Sequence, residues 1–224
     1  MGDDLESGVQ IPAAGVILDG DLVEPPGAAG VVVFAHGSGS SRHSPRNRYV
    51  ADVLFKAGLG TFLLDLLTPA EELQRDLVFD IELLAHRLIA ATEWLATQPE
   101  TTACRVGYFG ASTGAGAALW AAGSGGPPID AIVSRGGRPD LAETRLPKVQ
   151  APTLLIVGSK DEPTLRVNRH AQAMMRCPCS LIVVPGAGHL FEETGTLNEV
   201  AILARDWFTR YLLTAEQAQS TRAI

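Results

Sequence analysis

Residues 107–116 read GYFGASTGAG, an apolar run that ends in small residues and restarts as a stretch of glycine, alanine and threonine. Two readings of Ser112 are open. Small residues let a strand turn tightly into a helix packed against it, and packing alone would explain them. Alternatively, Ser112 is a nucleophile on a strained turn. Gly110, Ala111, Ser112, Thr113 and Gly114 form G-x-S-x-G, where the flanking glycines permit close backbone approach and the turn exposes the hydroxyl at the edge of a sheet. The ends of the other strands must decide.

Working outward, 30–37 (GVVVFAHG), 60–67 (GTFLLDLL), 104–110 (CRVGYFG), 130–137 (DAIVSRGG), 152–161 (PTLLIVGSKD) and 180–189 (SLIVVPGAGH) read as buried strands. Residues 8–12 and 15–25, bounded by proline and glycine, read as two edge strands. Between them lie helical patterns. Leu73, Leu77, Ile81, Leu84, Leu88 and Leu95 make one apolar face of a helix over about 71–97, stopped by Pro99. A second helix starts at the turn itself and ends at Gly123, and a third, amphipathic one covers 199–213. Alternation of this kind implies an α/β fold: a mainly parallel central sheet with helices on both faces, and ligands beyond the carboxyl ends of the strands. The expectation is a single domain over 1–224, its core about 9–213, with short N-terminal and C-terminal tails, the latter (214–224) frayed.

Composition narrows the function. With 46% hydrophobic and 19% charged residues the chain is an ordinary globular sequence. A net charge of −7 argues against nucleic acid. No apolar run is long enough for a membrane helix, and the acidic N-terminus lacks the apolar core of a signal peptide. Cys104, Cys177 and Cys179 have neither a disulfide framework nor zinc-ligand spacing, so a reducing cytoplasm and no metal are expected.

Polar, chemically capable residues do follow the strands. Asp161 comes directly after the strand at 152–158 and His189 after the one at 180–184. The order Ser112, Asp161, His189, each at a strand's carboxyl end, is that of an α/β-hydrolase triad. His189 would take the Ser112 proton, and Asp161 would orient the imidazole. Taken singly, Asp161 could merely cap a helix and His189 could face solvent. Asp140 is a second candidate acid, whereas Asp65 is better placed to tie down loops. The oxyanion would need the Thr113 N–H and a donor from the loop at 36–41, with Ser38 first and Gly39 next. His36 reads as a buttress of that loop.

Residues 31–47, 107–119, 132–142, 154–163 and 184–197 together resemble the dienelactone-hydrolase-like branch of the α/β-hydrolases, over roughly 9–213. The resemblance implies an eight-stranded α/β sandwich, hydrolysis of an ester or lactone, no metal or organic cofactor, and a triad of Ser112, Asp161 and His189. Dienelactone hydrolases proper carry a cysteine nucleophile. Serine in its place turns the expectation towards a carboxylesterase.

Between Ser134 and Thr153 there is room for one short helix but no cap domain, so an open, shallow site for small acyl groups is expected. Arg42, Arg46, Arg48, Arg135 and Arg138 fall in loops at the active edge. Arg42 and Arg138 are candidates to hold an acidic substrate, unless Asp140, Glu143 or backbone carbonyls occupy these arginines. The function expected is a serine hydrolase of small carboxylic esters or lactones. Acyl transfer or perhydrolysis on the same triad, or a non-catalytic binding role, are the alternatives.

Overall fold

Eight strands hydrogen-bond into one sheet in the order β1-β2-β4-β3-β5-β6-β7-β8. They are β1 (Ser7–Ala13), β2 (Val16–Val23), β3 (Gly30–Ala35), β4 (Gly60–Leu64), β5 (Arg105–Ala111), β6 (Ala131–Arg135), β7 (Thr153–Gly158) and β8 (Cys179–Val184). The helices are α1 (Pro45–Lys56), α2 (Pro69–Glu72), α3 (Arg75–Val78), α4 (Ile81–Leu95), α5 (Thr113–Ala122), α6 (Glu162–Met174) and α7 (Thr196–Leu212). This computed structural model describes residues 7–13 and 15–213, and the tail at 214–224 lies outside them.

All pairings from β4 through β8 are parallel, while β2 runs antiparallel to both β1 and β4. The inner strands β3, β4, β6 and β7 are buried along their whole length, which is why they read as unbroken apolar runs. Alternate residues serve opposite cores. Val31, Val33 and Ala35 pack towards α4 and α5, whereas Val32 and Phe34 pack towards α1 and α7. No helix among the described residues is long and apolar enough to cross a membrane.

Three expectations need correction. Only β1, of the first two strands, is an edge; β2 sits inside the sheet, and β8 forms the other edge. The helix expected over 71–97 is three pieces. Thr68 opens α2 with a reciprocal capping box to Glu71, and the Asp80 side chain accepts the Leu83 N–H at 3.0 Å to start α4 afresh. Leu73 therefore sits on a short turn, 88% exposed, instead of on a buried face. Finally, the segment between β6 and β7 holds two 3-10 turns, Pro139–Ala142 and Leu146–Lys148, in place of one short helix, and no cap.

Candidate active site

Ser112 joins β5 to α5 with φ 51° and ψ −120°, a conformation costly for any residue with a Cβ. Its glycine neighbours are required by close approach. A Cβ on Gly110 would lie 2.4 Å from the Ala115 Cα, and one on Gly114 would lie 2.2 Å from the Ala35 carbonyl oxygen. The turn is tied to the β6 end on both sides: the Ser112 N–H donates to the Arg135 oxygen at 3.2 Å, and the Arg138 N–H donates to the Ser112 oxygen at 3.0 Å. Packing and strain thus meet in one residue, and the two readings of this stretch are compatible.

The side chains of His189 and Asp161 line up above it. His189 Nε2 lies 3.4 Å from Ser112 Oγ, and His189 Nδ1 lies 2.6 Å from Asp161 Oδ2. The other oxygen of Asp161 accepts the Thr164 N–H at 3.4 Å, so the residue both caps α6 and holds the histidine. Burial works to raise the Asp161 carboxyl, but hydrogen bonds from His189 and Thr164 outweigh it and leave the group below the usual range. Asp140, the rival acid, is bound instead to Arg138.

The loop that carries His189 is held by residues that sequence reading passed over. Phe191, buried with φ 56°, plugs into the α1–α7 core two positions on. The Glu193 carboxylate accepts the Gly188 N–H at 3.0 Å. Positive φ at a phenylalanine leaves no signal in the sequence.

On the opposite side of Ser112, the loop after β3 shows the expected buttress. His36 Nδ1 donates to the Gly37 oxygen at 3.0 Å, and Nε2 accepts the Leu66 N–H at 3.2 Å, which links this loop to the one after β4. Thr113 is the first residue of α5, and its amide has no intrahelical acceptor. The Ser38 amide, expected as the second oxyanion donor, is engaged otherwise: it donates to Thr113 Oγ1 at 2.9 Å. Gly39, the second choice, has φ 70°, and its amide meets no acceptor among the described residues.

Four of the five loop arginines already have carboxylate partners. Both candidates for an acidic substrate are already bound by carboxylates: Arg42 by Asp65 and, at 3.4 Å, by Asp21, and Arg138 by Asp140 at 2.6 Å. Asp65 also takes the Arg42 amide, as a loop tie should. Arg46 reaches Glu192 at 3.2 Å and Arg48 reaches Asp21 at 3.3 Å. Arg135 alone of the five has no carboxylate among the described residues.

Beside Thr113 opens a cleft of about 340 Å³. Its polar side is the loop from His36 to Ser41. Its apolar side is Leu67, Leu73, Val78 and Leu84, contributed by α2, α3 and the start of α4 with their connections. That wall is anchored by a bidentate pair, Glu71 Oε1 to Arg87 Nη2 at 2.6 Å and Oε2 to Nη1 at 2.7 Å, and Arg87 also donates to the Leu66 oxygen. The sequence held a clue to it, since Thr68-Pro-Ala-Glu71 is a capping-box pattern with proline at the first helical position. Among the described residues, no group of three or more His, Cys, Asp or Glu could hold a metal ion.

Comparison with known proteins places the fold. The model of the dienelactone hydrolase family matches residues 18–212. A dienelactone hydrolase from Anabaena variabilis is 56% identical, with a TM-score of 0.90 over 92% of this chain and 98% of that one. An esterase of Pyrococcus furiosus shares the fold at 18% identity, with a TM-score of 0.75 over 92% of this chain and 91% of its own. A Mycobacterium tuberculosis protein, named provisionally as a phosphoribosyl transferase, is 62% identical over 204 residues, which are 91% of this chain and 46% of that protein. The chain thus spans about half the length of this curated relative.

Proposed function

This chain belongs to the dienelactone hydrolase family, and from that premise we propose that it is a serine hydrolase of carboxylic esters or lactones, working through an acyl-enzyme. The observation that carries the reading is the hydrogen-bonded series Asp161, His189, Ser112 on a positive-φ elbow. His189 Nε2 takes the proton as Ser112 Oγ attacks the carbonyl carbon, and Asp161 stabilises the imidazolium. The oxyanion meets the Thr113 amide and the Gly39 amide; the Ser38 amide joins only if it leaves Thr113 Oγ1. His189 then protonates the leaving alkoxide. Water, deprotonated by the same imidazole, hydrolyses the acyl-serine and restores the hydroxyl.

Serine, and not one of the three cysteines, is the nucleophile in this reading. Burial raises the thiols of Cys104 and Cys177, and burial with the neighbouring Cys177 pushes that of Cys179 up to about 12. All three are free thiols, which supports a cytoplasmic setting. The apolar cleft beside Thr113 supports an acyl group of modest size as its occupant. The transferase name of the longer relative describes a protein that this chain matches over 46% of its length, and phosphoribosyl transfer is not part of the proposal.

Hydrolysis of p-nitrophenyl acetate, butyrate and octanoate by the wild type and by Ser112→Ala tests the reading. Turnover that vanishes in the variant, with a burst of one equivalent in the wild type, is the expected result. Equal activity in both proteins would refute it.

A further inference from the structure

β6 ends on Arg135, directly beside the strand that carries the nucleophile. Its register partner on β5 is Ala111, and its carbonyl oxygen accepts the Ser112 N–H. The side chain lies on the sheet face shared with Val133 and Phe109, towards α1, and is only 7% exposed. There Nη2 makes one long contact, 3.5 Å to Asn47 Oδ1 in the first turn of α1, and Nε is sealed from solvent with no hydrogen bond.

The carboxylates around the other loop arginines are committed to them. Asp21 and Asp65 hold Arg42, Asp140 holds Arg138, and Glu192 holds Arg46. Arg46, in the same helical turn as Asn47, is a second guanidinium there; its Nη1 reaches the exposed Glu192 at 3.2 Å, while its Nε is sealed and unpaired. Burial, and then repulsion from Arg46, lower the Arg135 guanidinium to about 10, which leaves it charged at neutral pH. A buried charge without a counter-ion is unfavourable, and a chain with 25 acidic residues had many ways to supply one. Ser44 Oγ caps the Asn47 N–H and Pro45 has none to offer, so in the first turn of α1 the Arg46 amide is left beside this group, which is nine-tenths buried and built to meet an anion from outside.

We propose that Arg135, Arg46 and the first turn of α1 form an anion subsite on the α1 side of Ser112, which takes a phosphate group carried by the ester substrate. Phosphate is favoured over carboxylate by charge and shape. A single guanidinium fork satisfies the two oxygens of a carboxylate, whereas three terminal phosphate oxygens can engage two guanidiniums and the Arg46 amide together. The substrate would then lie with its apolar part in the Leu73 cleft and its phosphate against Arg135. This deepens the reading of Ser112 as nucleophile and rests on it for the word substrate, though not for the binding.

The test is a titration of inorganic phosphate into the Ser112→Ala protein, followed by amide chemical shifts and by melting temperature, with acetate at matched ionic strength as the second arm. Saturable phosphate binding that perturbs the amides of Arg46 and Asn47, and a much weaker response to acetate, are expected. Arg135→Gln should weaken phosphate binding at least about tenfold, the loss of a charge-assisted pair. Should Arg135→Gln fail to fold, Arg46→Gln gives the same reading in a partly exposed residue. No saturable binding, binding unchanged in both variants, or acetate bound as well as phosphate would each overturn the proposal. Phosphate binding without any Ser112-dependent esterase activity would sink the nucleophile and leave the subsite standing. Esterase activity without phosphate binding would do the reverse.

Discussion

Asp161 serves two partners from one carboxylate: Oδ2 meets His189 Nδ1 at 2.6 Å while Oδ1 accepts the Thr164 N–H at the start of α6. The two duties are separable by substitution. Asparagine caps a helix as well as aspartate does, but it cannot hold the imidazole in the same tautomer or stabilise its charge. Asp161→Asn should lower kcat/KM by about 10³-fold or more while its melting temperature stays near that of the wild type. Asp161→Ala should lose both, with about 1 kcal/mol of stability gone with the cap. Ester kinetics beside thermal melts check this. A large drop in melting temperature for the asparagine variant would mean that the carboxylate is chiefly structural.

At Ser112 the strain itself is measurable. A side chain at φ 51°, ψ −120° is unfavourable by about 1–3 kcal/mol, and glycine is free of that cost. Ser112→Gly and Ser112→Ala should be equally inactive, yet the glycine variant should be the more stable by about 1 kcal/mol, after its larger unfolded-state entropy is counted. Urea unfolding of the two variants gives the difference directly. An alanine variant as stable as the glycine one would mean that the elbow relaxes once the hydroxyl is gone.

Why Ser112, Asp161 and His189 were legible while much around them was not follows from the range of each signal. Each of the three ends a strand whose apolar run is unmistakable, and the glycines beside Ser112 record a local contact, since a Cβ on Gly114 would strike Ala35. The break between α2, α3 and α4 was hidden because leucines keep helical spacing across Asp80, although only the later ones are buried. The bond from the Ser38 amide to Thr113 Oγ1 leaves no sequence signal because its partners lie 75 residues apart. The pairing of Arg42 with Asp21 and Asp65 joins separate loops of the fold and likewise leaves no periodic trace. Local backbone demands are written in the sequence, whereas ion-pair partners are chosen by the fold.

The pair that anchors the cleft wall should make stability depend on acid. Hydrogen bonds from Arg87, against the opposing effect of burial and with help from Thr68, lower the Glu71 carboxyl from its ordinary 4.5 to about 2. A folded value below the unfolded one means the stabilisation is complete above about pH 5 and drains away as pH falls through 4.5 towards 2. The difference corresponds to about 3 kcal/mol at neutral pH. Glu71→Gln, which leaves the Arg87 guanidinium buried and half-paired, should cost about that much at pH 7 and flatten the acid dependence of stability. Unfolding curves at pH 7, 4 and 3 would show it. Parallel losses in wild type and variant would place the acid sensitivity in other carboxylates.

Leu73 is the residue that should set acyl preference. It is 88% exposed, a large apolar side chain left in water at the mouth of the cleft, and Leu67, Val78 and Leu84 line the wall behind it. Burying a chain of methylenes against this wall contributes about 0.8 kcal/mol for each one covered. Leu73→Ala should therefore lower kcat/KM for p-nitrophenyl octanoate relative to butyrate by about fivefold, equivalent to ~1 kcal/mol of lost transition-state contact. Hydrolysis of the acetate, too short to reach the rim, should be unchanged. Leu73→Trp, which narrows the mouth, should shift preference further towards acetate. The substitution touches no hydrogen bond of the elbow, so a fall in acetate hydrolysis would point to displacement of the whole α2–α3 wall. An octanoate-to-butyrate ratio that stays constant in both variants would mean that the acyl chain lies elsewhere, on the α1 side of Ser112.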